Sequence, residues 1–326
     1  MWFKNLRIYR FTGSFDTTPE ELESLLAEHP FTPCGKYSKE SLGWVPPLGR
    51  AGTQLVHTSN GHHMVSLLKE DKILPSSVVN EALQERAEAL EDKEGRKLFR
   101  KERLQLKDDV IAELLPKAFS KKQATFAYIS PKDRLLVINT GSQNQAETFL
   151  GFLRNTLGSL PVVPVATKGV PADIMTRWLR QGHGSDNFDL ETEAELFNPK
   201  EDGNTVRCKG QDLGSHEIEE LLKAGKLAKK LHVAWNDRLT CVIEDNLAIK
   251  RLKFSDVILE KANDYDAESV AEQFDQDFTL MTLELGRFYK DLFRAFGGLE
   301  RARLEEPMPE ESSAEATVQE PADTVS

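Results

Sequence analysis

The chain has 326 residues, of which 39% are hydrophobic and 29% charged, and its formal net charge is -11. This length allows two or three domains with apolar cores, and the composition is typical of a protein folded in water. No apolar run reaches the roughly 18 residues of a membrane-spanning helix, so we expect no membrane partner. Three widely spaced cysteines, Cys34, Cys208 and Cys241, favour a reducing compartment, and we expect the cytoplasm.

The first 74 residues predict the order β-α-β-β-β. Residues 2–11 favour a strand, because charges interrupt the apolar residues as they would not in a signal peptide. A helix follows, with Thr18 at its N-cap and Glu21 completing a capping box. Three further strands are predicted, and Asn60-Gly61 is a typical hairpin turn between the last two.

Residues 75–122 predict a helical arm. Two apolar stripes flank the polar run EDKEGRK, which contains Gly95, so the arm is either one exposed helix or two helices meeting near that glycine. Strand patterns resume afterwards. We therefore interpret the arm as an insertion into a central β-rich region of residues 1–74 and 123–167. The stripes comprise Val79, Leu83 and Leu90, then Phe99, Leu106, Val110 and Leu114.

Residues 168–303 predict a second α+β region, which makes the whole chain α+β. Residues 182–200 are expected to be mostly irregular, and strand, helix and three strands follow them. A long amphipathic helix then ends at Gly297-Gly298. Residues 304–326 contain seven acids and no Lys or Arg, which predicts a disordered acidic tail.

No catalytic motif stands out. The phosphate-loop, GxSxG, HExxH and GxGxxG patterns are absent. His57, His62 and His63 suggest a metal site, but adjacent strand residues point to opposite faces. Asp108 and Asp109 diverge on a helix and favour a solvated face. We expect no enzyme activity, cofactor or metal; a metal-dependent nuclease and a protein-binding scaffold without DNA contact remain alternatives.

Basic residues instead favour a binding function. On one continuous helix, Arg96, Lys97, Arg100 and Lys101 would form a basic ridge, although a solvated helix face is the alternative. Lys226, Lys229, Lys230, Lys250, Arg251 and Lys253 supply a further basic zone. Separated basic patches without a catalytic group suit sequence-independent contact with a phosphate backbone.

Two shorter patches are the sharper candidates for DNA contact. Lys117, Phe119, Lys121 and Lys122 follow the predicted end of the arm, and Phe119 is either core or an exposed ring that could stack on bases. Arg207 and Lys209 alternate along a predicted strand and so share one face, with Gln211 beyond them.

The sequence resembles the RdgC family of bacterial recombination-associated proteins. The resemblance is carried by MWFKNLRIYRF, FTPCG, GWVPPLG, KILPSSVVNEAL, LKDDVIAELLPKAFS, LGSLPVVP, RCKGQDL, IKRLKF and DFTLMTLEL, in order from residue 1 to about residue 298. Only the acidic tail falls outside the pattern.

The resemblance implies a homodimer closed into a ring around double-stranded DNA, with single-stranded DNA as a further candidate, and antagonism of RecA in the nucleoid. It implies a protomer with a central region, a helical tip and a base. It places DNA contacts near Phe119 and in RCKGQDL, where relatives often have a basic residue in place of Gly210. That departure leaves Lys209 and Gln211 to carry the contact. The arm and the last helix are candidate dimer contacts, or else are buried within their own subunit.

Overall fold

The computed structural model describes residues 1–300, except residues 186, 202 and 264–266. The acidic tail predicted for 304–326 and the last residues of the predicted base region, 301–303, lie outside the described residues. None of the described helices combines the length and apolar composition that a bilayer-spanning segment requires.

The described chain is α+β, as predicted. Its helices are α1 (Pro19–Ala27), α2 (Ser76–Glu94), α3 (Arg100–Leu114), α4 (Gln143–Leu157), α5 (Pro171–Gln181), α6 (His216–Lys223), α7 (Asp256–Asn263) and α8 (Val270–Ala295). Its strands are β1 (Arg7–Phe11), β2 (Glu40–Val45), β3 (Val56–Ser59), β4 (His62–Lys72), β5 (Ser120–Ser130), β6 (Leu135–Ile138), β7 (Val162–Pro164), β8 (Phe188–Phe197), β9 (Thr205–Lys209), β10 (Leu227–Trp235), β11 (Leu239–Glu244) and β12 (Ile249–Phe254).

Seven strands form an antiparallel central sheet in the order β2-β4-β5-β6-β1-β7, with β3 also paired to β4. One face of this sheet packs against α1 and α4 through a core that includes Leu22, Phe149 and Leu153. The predicted capping box is confirmed, because the Thr18 hydroxyl accepts from the Glu21 N–H while the Glu21 carboxylate accepts from the Thr18 N–H.

The helical arm grows from the end of the β4–β5 strand pair. The register runs from His63 opposite Ile129 to Lys72 opposite Ser120, and α2 and α3 lie between these two strands in the chain. The arm therefore consists of two helices, which is one of the two alternatives that the sequence left open. Gly95 ends α2 with a φ of 64°, a left-handed conformation that glycine adopts without strain.

A second antiparallel sheet has the order β12-β11-β10-β8-β9. The expectation that residues 182–200 are mostly irregular is wrong, because β8 occupies Phe188–Phe197 between β10 and β9. Helix α7 was also not predicted. At the N-terminus, the first strand begins at Arg7 rather than at residue 2.

Helix α8 lies in the core that both sheets share. Its buried residues join one cluster with the second face of the central sheet, including Met64 and Tyr128, and with the five-stranded sheet, including Leu231. The Tyr128 and Tyr289 hydroxyls lie 3.0 Å apart inside it. The last helix is thus buried within its own subunit, one of the two alternatives left open by the sequence. The predicted domain boundaries remain a prediction.

Replacing Leu285 tests this shared core. Leu285 is fully buried on α8, whereas Leu283 on the same helix is 43% exposed. Leu285→Ala should lower the free energy of unfolding by about 2–5 kcal/mol because it removes buried methyl groups and leaves a cavity. Leu283→Ala should change it by no more than about 0.5 kcal/mol. Urea unfolding measures both, and equal losses would contradict the burial of α8.

Candidate nucleic-acid interface

The residues Lys117, Phe119, Lys121 and Lys122, here called the arm-root surface, lie where α3 returns to the central sheet. The Phe119 side chain is 83% exposed, so the ring is not part of the core. Its position is fixed by the backbone instead, because the Phe119 carbonyl accepts a hydrogen bond of 2.7 Å from the Ile73 N–H. An exposed ring on a fixed backbone is available to stack on a base.

Cross-strand carboxylates accompany the lysines of the arm-root surface. Lys121 lies opposite Asp71 and Lys122 opposite Glu70 in the β4–β5 register, and Lys117 Nζ lies 3.5 Å from Glu113. Being adjacent in a strand, Lys121 and Lys122 point to opposite faces of the sheet. The arm-root surface therefore presents ammonium groups on both sides of the same edge.

Glu70 is a buried carboxylate engaged by the polypeptide around it. Its pKa is held below the usual range, first by a hydrogen bond from the Ser120 side chain and then by the Cys34 N–H, which lies 3.0 Å from its Oε2. Glu70 accepts hydrogen bonds from these groups, and among the described residues it forms no ion pair with Lys122. The Lys122 ammonium instead lies 5.2 Å from the centre of the Phe31 ring, an attractive cation–π distance.

Gly43 allows Phe31 to reach this position. The segment containing Phe31 crosses strand β2, and its N–H donates to the Trp44 carbonyl. A Cβ on Gly43 would lie 2.2 Å from the Phe31 Cα, so no other residue fits without displacing the backbone. Phe31 was not among the predicted site residues. An apolar residue beside a polar loop does not indicate, in the sequence, which lysine it will contact.

The predicted basic ridge on the arm is wrong as a continuous helical feature. Helix α2 ends at Glu94 and α3 begins at Arg100, so Arg96 and Lys97 lie in the turn between helices. Arg100 and Lys101 are exposed on α3 and make no ion pair within the described ranges.

Carboxylates neutralise the turn. Arg96 donates to both Glu102 oxygens, at 2.9 and 2.7 Å, and Lys97 lies 3.2 Å from Glu91. The pKa of Glu102 falls to about 2 because of its hydrogen bond with Arg96 and a second from the Phe99 N–H. Arg96 therefore stabilises the turn, and its guanidinium is already paired with Glu102.

The five-stranded sheet carries a row of alternating charges on its face. Each of its strands contributes one member, in the order Arg207 (β9), Glu195 (β8), Lys230 (β10), Glu244 (β11) and Lys250 (β12), here called the charged row. The successive N···O distances are 2.9, 3.1, 3.8 and 2.9 Å. The row lines a cleft of about 400 Å³ that Lys209, Glu193 and Arg251 also line.

Glu195, at the centre of three of the charged groups of the row, remains ionised at neutral pH. Burial alone raises the pKa of Glu195, but the hydrogen bond and charge of Lys230, with the charge of Arg207, outweigh it and leave the pKa below its ordinary value. With Glu193, which lies 2.7 Å from Arg251, three carboxylates face five cations around the cleft. The face is therefore positive by two charges.

Lys209 and Gln211 differ in availability. Lys209 is exposed and has no ion-pair partner in the part of the chain that the structure describes. The Gln211 side-chain amide donates to Glu217 at 2.5 Å and to the Ser215 hydroxyl at 3.1 Å. Between them Gly210 has a φ of 62°, which a side chain would strain.

The structure does not join the two sharper candidate patches into one site. The arm-root surface lies where the β4–β5 strand pair meets the arm. Arg207, Lys209 and Gln211 lie on or just beyond β9, the edge strand of the other sheet. Among the described residues, no group of three or more His, Cys, Asp or Glu side chains could hold a metal ion. His57 Nε2 lies 3.1 Å from Asp275, so this histidine packs against α8.

Known proteins match almost the whole described chain. The family described as "Putative exonuclease, RdgC" matches residues 1–299. A protein of Aeromonas hydrophila named "Recombination-associated protein RdgC" is 46% identical over 302 residues, covering 93% of this chain and 100% of its own. Proteins of the same name from Tolumonas auensis and Pseudomonas entomophila are each 42% identical, covering 91% and 92% of this chain and 99% and 98% of their own.

Phe119→Ala tests whether this ring is free of the core. Because the side chain is exposed, the free energy of unfolding should change by no more than about 0.5 kcal/mol. Phe149→Ala is the matched control, since Phe149 is fully buried and its loss should cost about 3–5 kcal/mol. Thermal or urea unfolding measures both. A comparable loss for Phe119→Ala would place the ring in the core.

Proposed function

Because this chain belongs to the RdgC family of recombination-associated proteins, we propose that it binds double-stranded DNA independently of sequence, as a homodimeric ring or clamp. In this role it modulates homologous recombination by limiting the access of RecA to DNA in the nucleoid. The observation that carries the proposal is the arm-root surface, where an exposed aromatic ring stands among three lysines in an acidic protein.

The chemistry of the arm-root surface suits a phosphate backbone. Lysine ammonium groups attract phosphates as point charges and do not read bases, so contacts of this kind are sequence-independent. Phe119 adds a flat apolar surface that stacks on any base exposed by bending or melting. This second feature supports single-stranded DNA as an additional partner.

The charged row offers a second backbone contact. Its carboxylates hold Arg207 and Lys230 in place across the sheet. Lys209, which has no ion-pair partner among the described residues, adds charge beside them. A row that is only modestly positive gives a weak, salt-sensitive contact. Weak contacts suit a closed clamp, because topology keeps the ring on the duplex when individual ion pairs exchange.

A homodimer needs apolar surface that its own subunit leaves uncovered. Helix α8 offers little of it, because most of its apolar side is buried in the shared core. The far end of the arm offers it: the Phe99 side chain is 69% exposed and that of Leu104 is 56% exposed. We assign the tip contact of the dimer to these two residues.

The function proposed is not enzymatic, and two alternatives have different signatures. The description of the matching family as an exonuclease favours a metal-dependent nuclease as second candidate. A protein-binding scaffold would use the exposed arm without DNA. Cleavage of labelled DNA would identify a nuclease. A DNA affinity that does not change when the arm-root surface is mutated would identify a scaffold.

Charge reversal at the arm root should weaken DNA binding. Lys121→Glu with Lys122→Glu removes two phosphate contacts and adds repulsion, so duplex affinity should fall by at least about tenfold. The slope of log affinity against log salt should become shallower by roughly two. Fluorescence anisotropy across a salt series measures both quantities.

The matched control is Lys132→Glu, an exposed lysine in the turn at the other end of β5. This single replacement makes half the charge change of the double variant, one strand length away, and should lower the affinity by far less than half as much. An unchanged affinity and slope in the double variant would remove the arm-root surface from the DNA interface.

Retention on DNA should depend on topology. If the dimer encloses the duplex, a high-salt challenge should release it from linear DNA, by sliding off the ends, and leave it on covalently closed circles of the same sequence. Gel filtration after the challenge measures the retained protein. Equal release from both forms would contradict enclosure. Nicked or linear product appearing with Mg²⁺ or Mn²⁺, in proportion to the protein, would support the nuclease alternative.

A further inference from the structure

A cavity of about 390 Å³ lies where β1, α4 and the β11–β12 turn meet, away from both patches described above. Its polar lining consists of Arg7, Tyr9, Gln143, Glu147, Arg154 and Asn246. It is here called the Arg7 cavity. Two of these side chains are guanidinium groups, which carry fixed positive charge at any physiological pH.

Arg7 is the unusual member of this lining. Its Nε is buried and has no hydrogen-bond partner in the described structure. The guanidinium makes one long hydrogen bond, of 3.4 Å, from Nη2 to the Gly141 carbonyl, and no ion pair with any described residue. Arg7 as a whole is only half-buried, and its Nη atoms retain donors for a further acceptor.

Arg238, which is also half-buried, is paired with a carboxylate. Its Nε and Nη2 each donate at 2.6 Å to the two oxygens of Glu284. This paired geometry is the one by which guanidinium groups hold carboxylates and phosphates. At Arg7 the equivalent acceptor is missing among the described residues.

Arg154 supplies a second cation to the same cavity. It is exposed on α4 and has no ion-pair or hydrogen-bond partner in the described ranges. The only lining carboxylate, Glu147, accepts a hydrogen bond of 2.8 Å from Gln143 and does not pair with either arginine. The lining therefore has an excess of one positive charge and several free donors.

We propose that the Arg7 cavity binds a phosphate-type oxyanion, with Arg7 donating through its Nη atoms and Arg154 providing the second charge. The oxyanion comes either from a free nucleotide or pyrophosphate, or from a phosphate of the DNA backbone. The site is independent of the clamp function proposed above, because a free anion can probe it without DNA.

The first experiment uses inorganic pyrophosphate and the full chain. At constant ionic strength, pyrophosphate should raise the melting temperature relative to chloride and bind in calorimetry. Arg154→Gln should weaken this binding by about tenfold or more; this side chain is exposed, so the variant keeps the fold. Arg7→Lys keeps the charge but loses the paired donors and should weaken it similarly. Arg50→Gln, at an exposed arginine elsewhere, should bind as the parent does.

Duplex DNA distinguishes the two sources of the oxyanion. If the DNA backbone is the source, Arg154→Gln should also weaken duplex binding and make its salt slope shallower by about one. If a free nucleotide is the source, duplex affinity should be unchanged while pyrophosphate binding is lost. Either result supports the site. The proposal is overturned if pyrophosphate stabilises no more than chloride does, or if it binds equally to the parent, Arg7→Lys and Arg154→Gln.

Discussion

The burial of helix α8 between two sheets is the constraint on which the rest of this structure depends. Residues such as Met281, Leu285 and Phe288 belong to one buried cluster with apolar side chains of both sheets, so the helix covers part of the inner face of each sheet. Each fully buried side chain of this kind contributes roughly 1.5–3 kcal/mol. The Leu6–Ile249 bridge, between the residue that precedes β1 and the first residue of β12, also joins the two sheets. One consequence is that most of the apolar side of α8 is unavailable to a partner, whereas the arm exposes Phe99 and Leu104.

This arrangement separates two kinds of positive surface. At the arm root, the lysines stand beside an exposed ring, and their neighbouring carboxylate Glu70 is committed to the Cys34 N–H and Ser120. On the five-stranded sheet, each cation of the charged row is held by a carboxylate of the next strand. The first surface is open for contact with phosphate and base, whereas the second exchanges partners. Overall acidity is therefore no obstacle to binding a polyanion.

Elements with local signals could be predicted from the sequence, and those that depend on distant partners could not. The Thr18 capping box and the Asn60-Gly61 turn, with φ of 48° and 73°, follow from neighbouring residues. Strand β8 was missed although FDLETEAELF alternates, because four acids disfavour a strand until cations from β9 and β10 face them. The exposure of Phe119 and the free donors of Arg7 likewise depend on tertiary packing. The fold class could be predicted from periodicity alone, whereas the candidate site depends on contacts between residues that are distant in the sequence.

The arm enters and leaves the sheet through directly paired residues, Lys72 and Ser120. Paired residues in antiparallel strands have Cα atoms about 5 Å apart, so the two ends of the arm nearly coincide. A segment attached in this way can change in length without shifting the strand register or disturbing α8. Evolution can thus vary the reach of the arm separately from the body that carries it.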